Sequence, residues 1–389
     1  MTYDFIVVGA GISGAASAYH LRETGANVLL IERGEPASGG TGKSAAIIRQ
    51  SYSTPLLVRL AHASITMLAR AKDELGQDAG LVQSGYCFLI ASDMLDGARR
   101  NVAMQKALGI VNEWCDGAGF GQHLPDLNPD GIAAIVYEPH GGYADPVRAT
   151  EAYVAAFRRL GGELQSRTPV RRLVRRGDRV AGVELDTGTI SASFVVNAAG
   201  PWAARIGALL GVDVPVVPLR NQIGIWRLER PLDRMMPMVM DYILHSGARG
   251  LYVATYDDAN HVLAGLHSEE VVGQGVDPDA YDQSADDDYL ADTRAALQRR
   301  MPELPLGQVE RAWAGLYPVS PDGLPIVGPT PRDDSVILAV GGGGSGIQLS
   351  PIMGALAADW IAYGEPRSLS DGELVAAGRG SVAKTARPS

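Results

Sequence analysis

Glycine occurs 47 times in 389 residues and gathers at a few points. The first is Gly9-Ala10-Gly11-Ile12-Ser13-Gly14, which fits G-x-G-x-x-G. Gly9 permits a tight turn, Gly11 leaves space for a pyrophosphate against the backbone, and Gly14 lets a helix pack closely on a strand. Glu32 stands 18 residues past Gly14, where a carboxylate can accept both hydroxyls of a ribose. The chemistry on offer is dinucleotide binding. The acid favours an unphosphorylated ribose, and so FAD or NAD rather than NADP.

A second glycine run, Gly341 to Gly346, separates those two. It precedes a long helix and makes a helix N-terminus free of side-chain bulk. A flavin collects negative charge at its N1–C2=O edge on reduction, and such a terminus would stabilise it. FAD is therefore the expected cofactor. Gly39-Gly40-Thr41-Gly42-Lys43-Ser44 imitates the end of a P-loop, but that motif needs glycine where Ala37 stands and a strand directly before it. The seven histidines show no metal-binding spacing, and no metal is expected. No G-x-S-x-G elbow of a hydrolase is present either.

The elements that must position these groups are legible in outline. Residues 3–8 read as a buried parallel strand, Ser13 to Thr24 as a helix stopped by Gly25, and Val28–Ile31 as the next strand. Helical spacing recurs from Thr54 to about Leu75 and from Glu151 to Leu160. Val170 to Ala199 alternates as strands around two turn signals and ends in Phe194-Val195-Val196-Asn197. An acidic connector, Asp277 to Asp288, lacks calcium-loop spacing, and Asp286 opens a helix running to Arg300. Val336–Val340 is a strand, and a helix follows from about Ile347 to Tyr363.

The formal charge of −10 and the absence of a dominant basic stripe argue against a nucleic-acid partner. Arg171, Arg172, Arg175 and Arg176 read as the solvated face of a hairpin. Two cysteines, Cys87 and Cys115, lie outside any CxxC and fit reduced thiols. No apolar run reaches the ~18 residues of a membrane span. With a strand already at residue 3 and no leader before it, a soluble, cytoplasmic protein is expected.

These motifs resemble the D-amino-acid oxidase and sarcosine oxidase family of flavoproteins over roughly residues 3–366. The fingerprint with Glu32, Thr41 to Arg49, Val195 to Trp202 and Gly344 to Gln348 carry the likeness, joined by Trp313 to Tyr317 and Pro321 to Gly328. The resemblance implies an α/β fold: a Rossmann-type FAD-binding domain with an interleaved α+β substrate domain on a mostly antiparallel sheet. The FAD-binding domain is expected at 1–85, 145–215 and 312–366, and the substrate domain at 86–144 and 216–311. Residues 370–389 are expected as a weakly ordered tail.

The resemblance places FAD against Gly9, Gly11, Ile12, Ser13, Gly14, Glu32 and Arg33, then Lys43, Ser44, Ala45 and Val170. Further on come Ala199, Gly200, Trp202 and Gly315, and finally Gly343, Gly344, Ser345, Gly346, Ile347 and Gln348. It implies oxidation of a C–N bond beside a carboxylate, in a primary D-amino acid or an N-alkyl amino acid. A hydride passes to flavin N5, the imine hydrolyses, and O2 or another acceptor takes the electrons. Arg49 is the expected carboxylate clamp, since a planar guanidinium binds a carboxylate bidentately. Arg220 is a second candidate, and Tyr52, Tyr252, His267 and Tyr317 are expected to line the site.

This chain departs from sarcosine oxidase in three places. No cysteine stands near Gly315-Leu316-Tyr317, so FAD is expected to be non-covalent. Gln348 replaces a lysine near flavin N1. Leu263 replaces the lysine that assists oxygen activation, which tilts the expectation toward a dehydrogenase. An arginine that related dehydrogenases use for the carboxylate aligns with Tyr317, leaving that role to Arg49. Two other readings stay open: an FAD subunit dependent on partners, and a dehydrogenase using NAD.

Overall fold

Strand β1 (Thr2–Val8) alternates only at its start and is then buried on both faces, as expected of a strand covered on each side. It runs into helix α1 (Ile12–Glu23), and strand β2 (Val28–Ile31), fully buried, returns parallel to β1 with Val8 opposite Ile31. This strand–helix–strand unit lies in the first sheet. The computed structural model describes residues 2–377 and Arg379, except Pro125, 244–248, Asp257 and 269–274.

The first sheet runs, in spatial order, Ile326–Thr330, Asp333–Val340, Gly188–Asn197, β1, β2 and Glu163–Gln165. Four of these five pairings, all but the first, are parallel, so Val8, Ile31, Asn197 and Val340 end on the same side. That side is where an open α/β sheet binds ligands. The hairpin strands Arg172–Arg176 and Arg179–Leu185 attach to Gly188–Asn197, and their arginines form exposed ion pairs with Asp186 and Glu184.

Helix Gly346–Tyr363 crosses α1 at close range. A Cβ on Gly354 would lie 2.6 Å from the Ala16 carbonyl carbon, so glycine is required at that crossing. Both helices are apolar on nearly every face because they lie inside one large cluster with Val7, Leu30 and Leu60.

The second sheet has eight strands: Leu306–Val319, Val217–Leu228, Asp258–Ser268, Arg249–Tyr256, Met238–Asp241, Tyr86–Ile90, Ala134–Glu138 and Glu113–Asp116. Every neighbouring pair is antiparallel except Met238–Asp241 with Tyr86–Ile90. One face packs Trp226, Val239 and Leu251 against Ala296 and Leu297 of helix Asp287–Arg300. The other face, with Tyr86, Ile223, Met240, Tyr252 and Leu263, meets Ala45 and Ile47 from the first half of the chain.

Strand Leu306–Val319 crosses position 312 without a break and stays paired to the second sheet as far as Val319. An isolated bridge from Val319 to Gly342 joins the two sheets. The described part of the stretch after Leu369 is docked rather than loose. Val375, in the turn Gly372–Val375, is fully buried, and Arg379 grips Asp322 through two nitrogens at 2.9 Å. Residues 380–389 lie outside the described residues.

Candidate functional site

A cleft of about 870 Å³ opens where the central strands of the first sheet end, between that sheet and the second. Gly9, at φ +102°, turns the chain out of β1; a Cβ there would lie 2.8 Å from the Ala198 carbonyl oxygen. A Cβ on Gly14 would lie 1.8 Å from the carbonyl oxygen of Gly9, so strand and helix touch through bare backbone. Helix α1 has no side-chain cap at Gly11, and Thr41 Oγ1 accepts from the Ile12 N–H at 3.2 Å. Glu32 Oε2 accepts from the Ala10 N–H at 2.8 Å and Oε1 from the Gly34 N–H at 2.7 Å. A carboxylate has about four lone-pair sites, so acceptor capacity remains for a ribose. Arg33 lies over the Trp202 ring at 4.1 Å beside it.

At the other end, Gly341 (φ +75°) and Gly343 (φ +52°) turn the chain from strand Asp333–Val340 into helix Gly346–Tyr363. No side chain caps that helix. Ser345 Oγ is hydrogen-bonded to Tyr52 Oη at 2.7 Å instead, leaving the first-turn N–H groups for a ligand.

Arg49 stands on a loop held from below. The Glu138 carboxylate, fully buried, accepts from the N–H groups of Gln50 and Ser51 and from the Ser51 hydroxyl. Arg49's own N–H donates to Gln348 Oε1 at 2.8 Å, and Gln348 Nε2 donates to Tyr52 Oη at 3.2 Å. The half-buried guanidinium lies over the Tyr52 ring at 4.1 Å, 5.8 Å from that of Tyr86, and donates to the Ser51 carbonyl at 3.0 Å. No carboxylate among the described residues lies within ion-pair distance of it. The charge cannot be lost by deprotonation, and Arg49 and Tyr52 stand behind the cleft lining rather than in it.

Tyr252 and Tyr317 line the cleft. Burial pushes the Tyr252 phenol well above its usual range and that of Tyr317 up to about 12. His267 lies 6.4 Å from the Tyr317 ring, outside the cleft lining. Arg220 is not brought to the site. Its guanidinium is committed to Asp286, with two bonds at 2.9 Å, and to the carbonyls of Asp282 and Ser284.

A family model described as FAD dependent oxidoreductase matches residues 4–360. The chain belongs to that family. A glycine oxidase of Pseudomonas aeruginosa is 30% identical over 94% of this chain and 96% of its own. The mitochondrial dimethylglycine dehydrogenase of Mus musculus is 28% identical over 93% of this chain, which spans only 43% of that relative's length. The crystal structure of the L-proline dehydrogenase of P. horikoshii superposes with a TM-score of 0.84 at 26% identity, covering 94% of this chain and 95% of that one. The fold is the Rossmann-type FAD-binding fold of these oxidoreductases, and FAD is the cofactor.

The residues present fit FAD. Two open helix N-termini, at α1 and Gly346, face one cleft whose volume lies within the ~300–1,000 Å³ of ligand sites. Between them the wall is bare: a Cβ on Gly344 would lie 2.9 Å from the Tyr317 ring. Gly9, Gly11, Ile12, Ser13, Glu32, Arg33, Lys43, Ser44, Ala45 and Val170 line the cleft. So do Ala199, Gly200, Trp202, Gly315, Gly343, Gly344, Gly346 and Ile347. Gly14, Ser345 and Gln348 stand behind the lining.

Sequence reading did not single out Thr41, Glu138, or the residues Asp279, Tyr281 and Gln283 of the acidic connector, which also line or support the site. Glu138 had one signal, a lone acid ending the apolar run Ala134–Val136. The connector had only its charge. Neither cysteine lines the cleft: Cys87 is buried in the second sheet and Cys115 packs at the edge of the same cluster. Glu113, Cys115 and His123 do bring three potential metal-ligand atoms within 4.8 Å of one another, a grouping with no pattern in the sequence.

Proposed function

We propose that the protein oxidises the C–N bond of an amino acid, held by its carboxylate on Arg49. The observation that carries this reading is the half-buried guanidinium without a carboxylate partner among the described residues, fixed between two tyrosine rings beside the helix at Gly346. A charge in that position costs free energy unless an anion meets it, and a carboxylate matches its planar fork.

The substrate carbon gives up a hydride while the nitrogen lone pair forms the C=N bond, and water then adds to that carbon and releases the amine. Bound FAD supplies the two-electron acceptor. The chain's own task is placement. The loop pinned by Glu138 fixes Arg49, and Gln348 ties that loop to the helix that ends at the cleft. Tyr252 and Tyr317 keep their protons at neutral pH, so they serve as donors and walls, not bases. The amine therefore reacts in its neutral form. Neither cysteine reaches the cleft, which supports non-covalent FAD. Leu263, buried on the tyrosine-bearing face of the second sheet, supports a dehydrogenase over an oxidase.

The test is an anaerobic titration of the flavin spectrum with D-, L- and N-methyl amino acids, each beside its decarboxylated amine. Bleaching by an acid and not by its amine is the expected result, followed by slow reoxidation in air. Equal bleaching by both members of a pair would remove the carboxylate clamp from the reading, and no bleaching by any would remove the reaction.

A further inference from the structure

Residues 275–286, between strand Asp258–Ser268 and helix Asp287–Arg300, form no regular element, yet they are held at both ends to the second sheet. The Val276 N–H donates to the Pro218 carbonyl at 2.9 Å. Gln283 accepts from the Ala314 N–H at 2.8 Å, and Asp286 takes two bonds from Arg220 and one from Gln222.

The middle of the segment leaves that sheet and reaches across the cleft. Asp279 accepts from Arg33 at 2.7 Å and from the Trp202 indole at 2.8 Å, and it also meets Arg205. Asp277 pairs with Arg205 at 2.5 Å. Lys43 donates to Tyr281 at 2.7 Å and to Gln283 at 2.6 Å. All four partners stand on the opposite wall, directly after β2, after strand Gly188–Asn197, or on the turn Thr41–Lys43. Pro278, Asp279, Tyr281 and Gln283 themselves line the cleft.

We propose that residues 275–286 are a latch over the FAD cleft, and that Asp277 and Asp279 set the rate at which FAD enters and leaves. The latch is weak where it closes and firm where it is anchored. Arg33, Asp279, Arg205 and Asp277 are each roughly half exposed (51%, 43%, 46% and 53%), and such pairs are individually weak and screened by salt. At the anchor Arg220 is 19% exposed and Asp286 52%, and what firms it are the further bonds from Arg220 to the Asp282 and Ser284 carbonyls and from the Ala314 N–H to Gln283. The middle can therefore part from Arg33 and Arg205 while the ends stay fixed. The inference rests on FAD occupying the cleft, which family membership assigns.

A gate differs from a simple contact because opening it speeds passage in both directions. The test uses full-length apoprotein and FAD. Entry is followed by quenching of free FAD fluorescence, and exit by its recovery after dilution of the holoprotein far below its Kd. In Asp279→Asn, entry and exit are both expected to rise, by about three- to tenfold, with a smaller change in Kd. Arg205→Gln attacks the same latch from the opposite wall and is expected to do the same, so the test survives if one variant fails to fold.

Faster exit alone would make Asp279 an ordinary contact. Faster entry with slower exit would reduce it to a charge near the pyrophosphate. Rates unchanged in both variants would also overturn the latch. Asp334→Asn removes an exposed acid from the pair with Arg179, away from the cleft. It is expected to change neither rate, and an equal acceleration there would overturn the proposal as a general charge effect. Wild-type apoprotein that takes up no FAD would refute the cofactor assignment instead.

Discussion

At the scale of single residues, the site depends on charges and protons held where the chain would not place them by default. Arg49 is the clearest. Replacing it with alanine is expected to raise the Kd of any carboxylate substrate by about 10²-fold, the loss of a charge-assisted pair worth ~2–3 kcal/mol. Flavin reduction titrated against substrate concentration measures this, and an unchanged Kd would remove Arg49 from the site. The tyrosines make a prediction about pH. Burial raises the Tyr317 phenol to about 12 and carries Tyr252 higher than its usual range. A raised acid is neutral below its pKa, so neither ring becomes an anion in a working buffer. The limiting rate of flavin reduction should therefore climb with pH through the substrate's amine and track that amine's pKa across a substrate series. An ascending limb fixed at one pH for every substrate would instead reveal an enzyme base.

At the scale of elements, the dinucleotide unit was legible because its signals are local. An apolar strand, three glycines and an acid lie within residues 3–32, and each acts on its immediate neighbours. The geometry makes one of those glycines indispensable. With its Cβ 1.8 Å from the Gly9 oxygen, Gly14→Ala must push α1 off β1. The variant should purify with a flavin-to-protein ratio at least tenfold below wild type, and near-stoichiometric flavin would refute the argument. The residues that sequence reading misplaced act at long range. Arg220 was a second candidate for the carboxylate, and only the fold shows that its side chain meets Asp286, 66 positions on. Gln348 was correctly read beside the glycine-rich turn. Its amide nonetheless serves the Arg49 backbone and Tyr52, partners set by a rotamer that no periodicity encodes. Val375 and Arg379 sit in a polar stretch that looked loose, because the cavity and the acid that receive them come from other parts of the chain.

At the scale of the whole molecule, a substrate domain on its own, mostly antiparallel sheet was expected only from the family resemblance. The continuous strand Leu306–Val319 was not, since a strand pairing through the junction looks the same as one stopping there. With FAD placed across both glycine runs, as we propose, its removal should be felt throughout the fold. The melting temperature is expected to rise steadily with added FAD, corresponding to about 2.7 kcal/mol at a hundredfold excess over Kd. A melting temperature independent of FAD would show that the cofactor does not bind across the cleft.

The two glycine runs at the cleft, Gly9–Gly14 and Gly341–Gly346, have a consequence for how the protein is made. Once made, the first turn has nothing to close against, because its partner helix is written more than 300 residues later. At roughly 5–20 residues per second, the nascent chain spends tens of seconds with half a binding site. Helix α1 must wait that long for the Gly354 crossing that covers it. Flavin loading thus waits on synthesis of the second run, and a cell short of flavin would accumulate chains that have both runs yet are still open at that seam.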